Sequence, residues 1–320
     1  MATDDFEFEE MSKVQSKLSV EVFGPSGSGK TTALIKLAMG IRDMLYPNVP
    51  LKDICLFVDT EKGSATKAVG RSVGGETLES MQYYKFLPPY DIVKYAKLVN
   101  FAERKGIKIL ITDSLTHFWS GEEGILDRVA ALDVELGEKK KMYGAWSEKE
   151  IVAKKNLLKA IVINANMHIL IGTRAKTEYV IEVNKYGKNA PKAIGLTENM
   201  QGDMRFEFDV VFSLNQEDHT ANIVKDRIGF DEMRQVTNPD SPITVEDGKM
   251  LAKIVSEGLS PEEVEDRRKQ YIIKYLLNEK STKATRIAEL ESTLKTELTS
   301  ELLAKMNITN LVKLFEYVKN

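Results

Sequence analysis

One short stretch constrains this chain more than any other. Gly24, Pro25, Ser26, Gly27, Ser28, Gly29, Lys30 and Thr31 follow the spacing G-x-x-x-x-G-K-T, between an apolar run at 18–23 and an amphipathic pattern at 31–45. A strand that feeds a glycine turn and then a helix presents inward-facing backbone N–H groups at a positive helix end. That arrangement holds phosphate. Lys30 is expected to reach the outer phosphates of a nucleotide and the Thr31 hydroxyl to ligate Mg2+, with Thr32 continuing the cradle into the helix. ATP and Mg2+ are therefore the expected cofactors.

Further apolar runs of strand character lie at 54–58, 107–112, 168–172, 210–214 and 222–225, with helical patterns between many of them, notably 92–105 and 147–166. Short apolar strands alternating with helices predict an α/β fold whose mostly parallel sheet is covered on both faces. A chain of 320 residues suffices for one large domain and a small one. After a turn at 238–241, a helix is expected over 244–257, closed by Gly258. Ser260-Pro261-Glu262-Glu263 then reads as a capping box, and only helical patterns follow, at 264–277, 283–296 and 299–319. The expected organisation is an acidic, flexible leader at 1–16, a core at 17–258 and a helical C-terminal region at 259–320 that packs on the core or on a neighbour.

The second strand ends in Asp59-Thr60-Glu61. Ligands of a parallel sheet sit beyond the C-terminal ends of its strands, so these carboxylates are expected beside the phosphate loop. Glu61 is the candidate catalytic group, orienting or activating water. Asp59 reads either as a structural acid or as an outer-sphere magnesium ligand. Ile109-Leu110-Ile111-Thr112-Asp113-Ser114 has the form of a Walker B strand, with Asp113 as the metal-site acid. Lys225 and Arg227 are two apart on a late strand and share one face. They read either as a pair of catalytic cations supplied to a neighbour's phosphate or as an exposed basic strand end.

GPSGSGKT, the Asp-Thr-Glu after the second strand and the Ile-Thr-Asp-Ser strand together resemble the core of the RecA-like ATPases, a class marked by a glutamate after the second strand. Within 168–227, HILIGTRAKTEYVIEVN, GKNAPKAIG, FEFDVVFSL and IVKDR are similar to the phage-type RecA-like nucleotide-binding proteins, some of which are single-strand-annealing or recombination proteins. The resemblance spans about 17–235 and does not extend past 259. It implies a RecA-like P-loop NTPase core with a small C-terminal helical region, and a ring or filament with ATP sites at subunit interfaces. By position it implies Glu61 as the catalytic glutamate, Thr173 and Arg174 as nucleotide-state sensors, and Lys225 and Arg227 as trans cations. It also implies the cytoplasm of a bacterial or phage-infected cell.

The formal net charge of −3 gives no whole-chain attraction to a polyanion, so a nucleic-acid surface has to be local. The stretch 173–207 is poor in regular pattern and carries Arg174, Lys176, Lys185, Lys188, Lys192 and Arg205, with Tyr179 and Tyr186 between them. Cations that hold phosphates and aromatics that stack bases suit single-stranded DNA; a solvated hairpin is the alternative. Lys139, Lys140 and Lys141 with Tyr143 and Trp146 form a second, weaker candidate, and Phe6 and Phe8 in the leader could dock on a neighbour. The single cysteine, Cys55, lies in an apolar run and excludes an intrachain disulfide. His117, His168 and His219 have no zinc-site spacing. No run is long and apolar enough to span a bilayer. Asn184-Lys185-Tyr186-Gly187 lacks the aspartate of a guanine-specificity motif, and no transporter-ATPase signature or kinase lid is visible. The expected activity is an ATPase acting on single-stranded DNA in recombination, annealing or repair. The alternatives are a helicase or translocase with the same core, and a nucleotide-gated adaptor whose C-terminal helices recruit a protein partner.

Overall fold

The computed structural model describes residues 11–137, 144–183, 189–238, 240–278 and 283–319, with side chains described except at 178–194 and 319. Two compact units emerge. One is 16–255; the other combines 1–15 with 256–320.

The larger unit is built on an eight-stranded sheet. Its strands are β1 (Ser19–Gly24), β2 (Cys55–Asp59), β5 (Gln82–Lys85), β6 (Ile109–Asp113), β7 (His168–Val183), β8 (Asn189–Glu198), β9 (Val210–Leu214) and β10 (Ala221–Asp226). A two-residue ladder of β3 (Ser72–Val73) and β4 (Glu76–Thr77) stands apart. The order across the main sheet is β10-β9-β1-β7-β6-β2-β5, with β8 paired to β7. The five strands from β9 to β2 in that order, together with β5, run parallel, and β10 and β8 are antiparallel. This is the mostly parallel α/β sheet expected from the sequence. β1, β2 and β6 are buried throughout, as strands covered on both faces must be.

Alternation along the strands sorts the side chains into two cores. Val20, Val22, Phe57, Ile109, Ile111 and Leu170 face one core, together with α1 (Lys30–Leu45) and α9 (Val245–Ser256). Phe23, Val58, Leu110, Ile169, Ile171 and Val211 face the other, with α4 (Ile92–Arg104), α5 (Thr116–Ser120), α6 (Ile125–Leu136) and α7 (Lys149–Asn164). The short helices α2 (Leu51–Ile54), α3 (Ser64–Ala68) and α8 (Phe230–Thr237) complete this unit.

The stretch 173–207 is more regular than its sequence suggests. β7 does not stop at 172 but continues to Val183 and pairs with β8 in a long hairpin, with a register shift between Glu178 and Tyr179. From Ala175 onward β7 pairs with β8 alone among the described strands, as a two-stranded arm.

In the smaller unit Val14 bridges Leu259 in parallel, and Gln15 N donates to Leu259 O at 2.9 Å. Four helices follow: α10 (Pro261–Asn278), α11 (Ala284–Leu294), α12 (Ser300–Lys305) and α13 (Ile308–Lys319). They enclose a core of Ile272, Leu276, Ile287, Leu303, Leu311 and Val318. The capping box forms as read, with Ser260 N on Glu263 Oε2 at 2.7 Å and Glu263 N on Ser260 Oγ at 3.1 Å. The expected single helix at 299–319 is two helices. Met306 is extended, and Asn307 accepts from Asn310 N at 2.9 Å, capping a fresh helix. Among the described residues no helix is long and apolar enough to cross a membrane.

Candidate functional site

The C-terminal ends of the central strands lie in register. Gly24 is level with Arg174, Gly172 with Asp113, and Asp113 with Asp59. β1 delivers the phosphate loop along this line, and the loop closes through left-handed backbone at Gly27 (φ 82°) and Gly29 (φ 90°), where a side chain would be strained. A cleft of about 710 Å³ opens there. It is lined by Gly24, Ser26, Gly27, Gly29, Lys30, Thr31 and Thr32 from the loop, and by Glu61, Ser64, Ala68, Arg71, Asp113, Arg174 and Ala175 from other elements. Pro25 and Ser28 belong to the same loop without lining the cleft; the Ser28 side chain is buried beneath it.

Lys30 donates to the carbonyls of Gly24 at 3.0 Å and Pro25 at 2.8 Å, so its ammonium is held across the loop. Burial lowers its pKa, with Asp113 and Glu61 opposing. The Thr31 hydroxyl donates to Asp113 Oδ2 at 2.5 Å. The other oxygen, Asp113 Oδ1, is buried without a hydrogen-bond partner. Desolvation first, and then the neighbouring Glu61 charge against the Thr31 bond, push this carboxyl up to about 6. A buried anion with a lone oxygen beside a threonine hydroxyl suits a magnesium ion that takes its remaining ligands from phosphate and water. Thr31 and Asp113 would hold the ion, which when bound neutralises charge on the phosphate oxygens. Gly172 makes the space: a Cβ there would lie 2.6 Å from Asp113 Oδ1.

Glu61 enters the cleft from the turn after β2. Asp59 sets that turn, accepting from Glu61 N at 2.6 Å on one oxygen and from the Tyr83 hydroxyl at 3.0 Å on the other. Each Asp59 oxygen thus accepts one hydrogen bond within the protein, bracing the Glu61 turn. Arg174 Nε donates to Glu61 Oε1 at 2.8 Å. Burial works against ionisation of Glu61, but the Arg174 bond and charge, with His117 and Lys30 behind them, hold it below the usual carboxylate range. A carboxylate that stays ionised beside a phosphate loop can accept a proton from, or orient, an attacking water. Behind it, Thr60 Oγ1 bonds Ser114 O at 3.0 Å, Ser114 N at 2.7 Å and His117 Nδ1 at 2.6 Å, tying the Glu61 turn to the end of the Asp113 strand.

The remaining expected residues are scattered. Thr173 is buried, and its hydroxyl donates to Glu21 Oε1 at 2.7 Å rather than lining the cleft. Arg174 lies in the cleft, not on the arm. Lys176 is at the base of the arm, opposite Thr197; Tyr179 and Lys192 lie on its two legs, with side chains outside the described set. Lys185, Tyr186 and Lys188 fall outside the described residues, as do Phe6, Phe8, Lys139, Lys140, Lys141 and Tyr143. Trp146 packs on Trp119 at 6.0 Å between ring centroids. Arg205 is paired with Glu198. Lys225 donates to the carbonyls of Arg205 at 2.9 Å and Phe206 at 2.8 Å, and also to Phe208; Arg227 donates to Phe206. Lys225 is level with Val211, which is level with Glu21, three residues below Gly24 and two strands away from β1. Neither cation lines this chain's own cleft. His168 is a core residue, accepting from Leu18 N at 3.2 Å, with burial driving its pKa down to about 3. Burial likewise pushes the Cys55 thiol up.

Sequence reading missed Arg71, and also Gln216 and His219. Gln216 Nε2 donates to Ser26 O at 3.0 Å, and the His219 ring stands 3.6 Å from where a Gly29 Cβ would be. A turn that braces a loop from some 190 residues away leaves no local signal.

The model of the AAA domain family AAA_24 matches residues 16–242. No curated protein matches the chain. The match covers the whole sheet, the phosphate loop and the Asp113 strand, and on that ground the chain belongs to the AAA domain family of P-loop ATPases.

Proposed function

We propose that this protein is a RecA-like ATPase that acts on single-stranded DNA in recombination, annealing or repair, and that it assembles with its ATP sites between subunits. The observation that carries the reading is the double role of β7. Its first half lies between β1 and β6, the strands that bear the phosphate loop and Asp113. Arg174, at the level of the cleft, grips Glu61. The next residues, from Ala175 and Lys176 onward, form one leg of the hairpin with β8. A strand held by the arm therefore acts on the residue that positions the candidate base, and nucleotide acts back on the arm, as linkage requires. ATP stabilises the assembled, DNA-bound state, and hydrolysis releases it.

The location of Lys225 and Arg227 away from their own cleft supports a role toward a neighbour's nucleotide. Such cations accelerate phosphoryl transfer by ~10³–10⁵ in other systems. Their carbonyl partners at 205–208 would have to be exchanged for phosphate on assembly.

The test is steady-state ATP hydrolysis with and without single-stranded DNA, with Lys30→Ala as the blank. Several-fold stimulation that disappears at high salt is expected, because phosphate contacts release counterions. A rate indifferent to DNA would move the reading to a nucleotide-gated adaptor. The observation favouring that second reading is the helical unit with a hydrophobic core of its own.

A further inference from the structure

The cations that line the nucleotide cleft are not equivalent. Lys30 is tied to loop carbonyls and Arg174 to Glu61. Arg71 lines the same cleft, is exposed, and its guanidinium has no hydrogen bond or ion pair among the described residues. Its backbone, by contrast, is fixed on both sides. Arg71 N donates to Ala68 O at 3.1 Å, and Arg71 O accepts from Leu78 N at 2.9 Å, while Gly70 turns through φ 80° and donates to Leu78 O at 2.8 Å.

Arg71 stands at the root of the β3–β4 hairpin, and that hairpin is clamped to α1, the helix that begins at Lys30. Glu76 pairs with the buried Lys36 at 2.7 Å, and Glu79 takes Arg42 through two bonds of 3.1 and 2.5 Å. Between them the Leu78 side chain is sunk in the core. Lys36 is buried in that pair and Glu76 half-buried, and the side chain that the bracket leaves at the cleft is a cation.

Glu61 lies three residues before α3 and Arg71 three residues after it, so the two enter the cleft from opposite ends of that helix in the chain. Thr31 and Asp113 share a hydrogen bond and Arg174 engages Glu61, while Arg71 lines the same cleft without such a partner among the described residues. We propose that Arg71 is a nucleotide-binding residue acting in cis, its guanidinium taking the phosphate next to the ribose, and that 70–79 is a bracket that holds it there. The proposal rests on the assignment of this cleft to ATP.

The experiment is calorimetric titration of the full chain with Mg-ADP and with a non-hydrolysable Mg-ATP analogue, each variant first checked by thermal melting. Arg71→Ala should weaken both nucleotides equally, by about ten- to a hundredfold, the range for a hydrogen bond to a charged group. Arg71→Lys should recover part of the loss, because it keeps the charge without the planar fork. Lys36→Met, which releases the bracket and leaves Arg71 intact, should produce a smaller loss in the same direction. An unchanged ADP affinity in Arg71→Ala overturns the proposal, and so does a loss confined to the triphosphate. Unchanged ADP affinity in Lys36→Met overturns the bracket. Normal binding by Lys30→Ala would instead remove the assignment of the cleft to ATP, so the two failures are distinguishable.

Discussion

Arg174 holds Glu61 ionised, and that contact has a consequence for the pH dependence of turnover. The carboxylate must be unprotonated to take a proton from water or to orient it. With Arg174 in place its pKa is depressed, so as the candidate base Glu61 contributes to the acidic limb only where pH drops through that depressed value, apart from the Asp113 carboxyl that titrates higher. Replacing the guanidinium by a neutral amide in Arg174→Gln removes the main lowering influence and leaves the desolvation that raises the pKa. The acidic limb of the kcat profile should therefore move to higher pH. Glu61→Gln should bind ATP with near-normal affinity while turnover falls by ~10²–10⁴, the usual contribution of a positioned general base. An acidic limb that stays put in Arg174→Gln would show that Glu61 is not the group titrating in kcat.

At the scale of elements, β1 carries a second unusual carboxyl. Glu21 is wholly buried, bonded by Thr173 on one oxygen and unpartnered on the other. Burial raises its pKa to about 8, with the Thr173 bond opposing, Glu198 adding to the rise, and Arg205 and Lys225 opposing. The folded protein thus binds this proton more tightly than the unfolded chain, whose carboxyl titrates near 4.5. Its contribution to stability is complete below that value and is lost as pH rises toward 8, by up to about 1.4 kcal/mol per pH unit. Glu21→Gln keeps the shape without the titration. It should melt near wild type at pH 5 and several degrees above it at pH 8; parallel melting curves across that range would refute the assignment. Glu21 was not singled out from the sequence, because a charged residue in an apolar run is visible but its burial is not. The legible features were local ones. The phosphate loop and the strand ending in Asp113 announce themselves through contiguous residue types whose physical demands are strict. Strand β5, four residues of mixed polarity at a sheet edge, has no such signal. The Glu61–Arg174 pair joins residues 113 apart, a contact only the sheet order creates.

For the molecule as a whole, the decisive question is whether one chain completes another's active site. If Lys225 and Arg227 act across an interface, Arg227→Ala and Lys30→Ala should each be inactive alone for different reasons. Mixed one to one, roughly a quarter of head-to-tail interfaces pair an intact phosphate loop with an intact finger. Turnover should reappear in the mixture to about that extent. A mixture no more active than the sum of its parts would place the two cations in a structural role, anchoring 205–208.

The arm built on β7 carries one more implication, for anyone wishing to redesign this protein. One strand serves both the sheet and the arm, with a register shift between Glu178 and Tyr179, so the arm's length is set by residue count at about 3.3 Å each. Val183 and Asn189 face one another at its outer end, and Glu182 and Ala190 come next. Trimming or extending such facing pairs together changes the span while every pairing nearer the sheet keeps its register. The reach of the arm thus becomes an adjustable length, independent of the chemistry at its root.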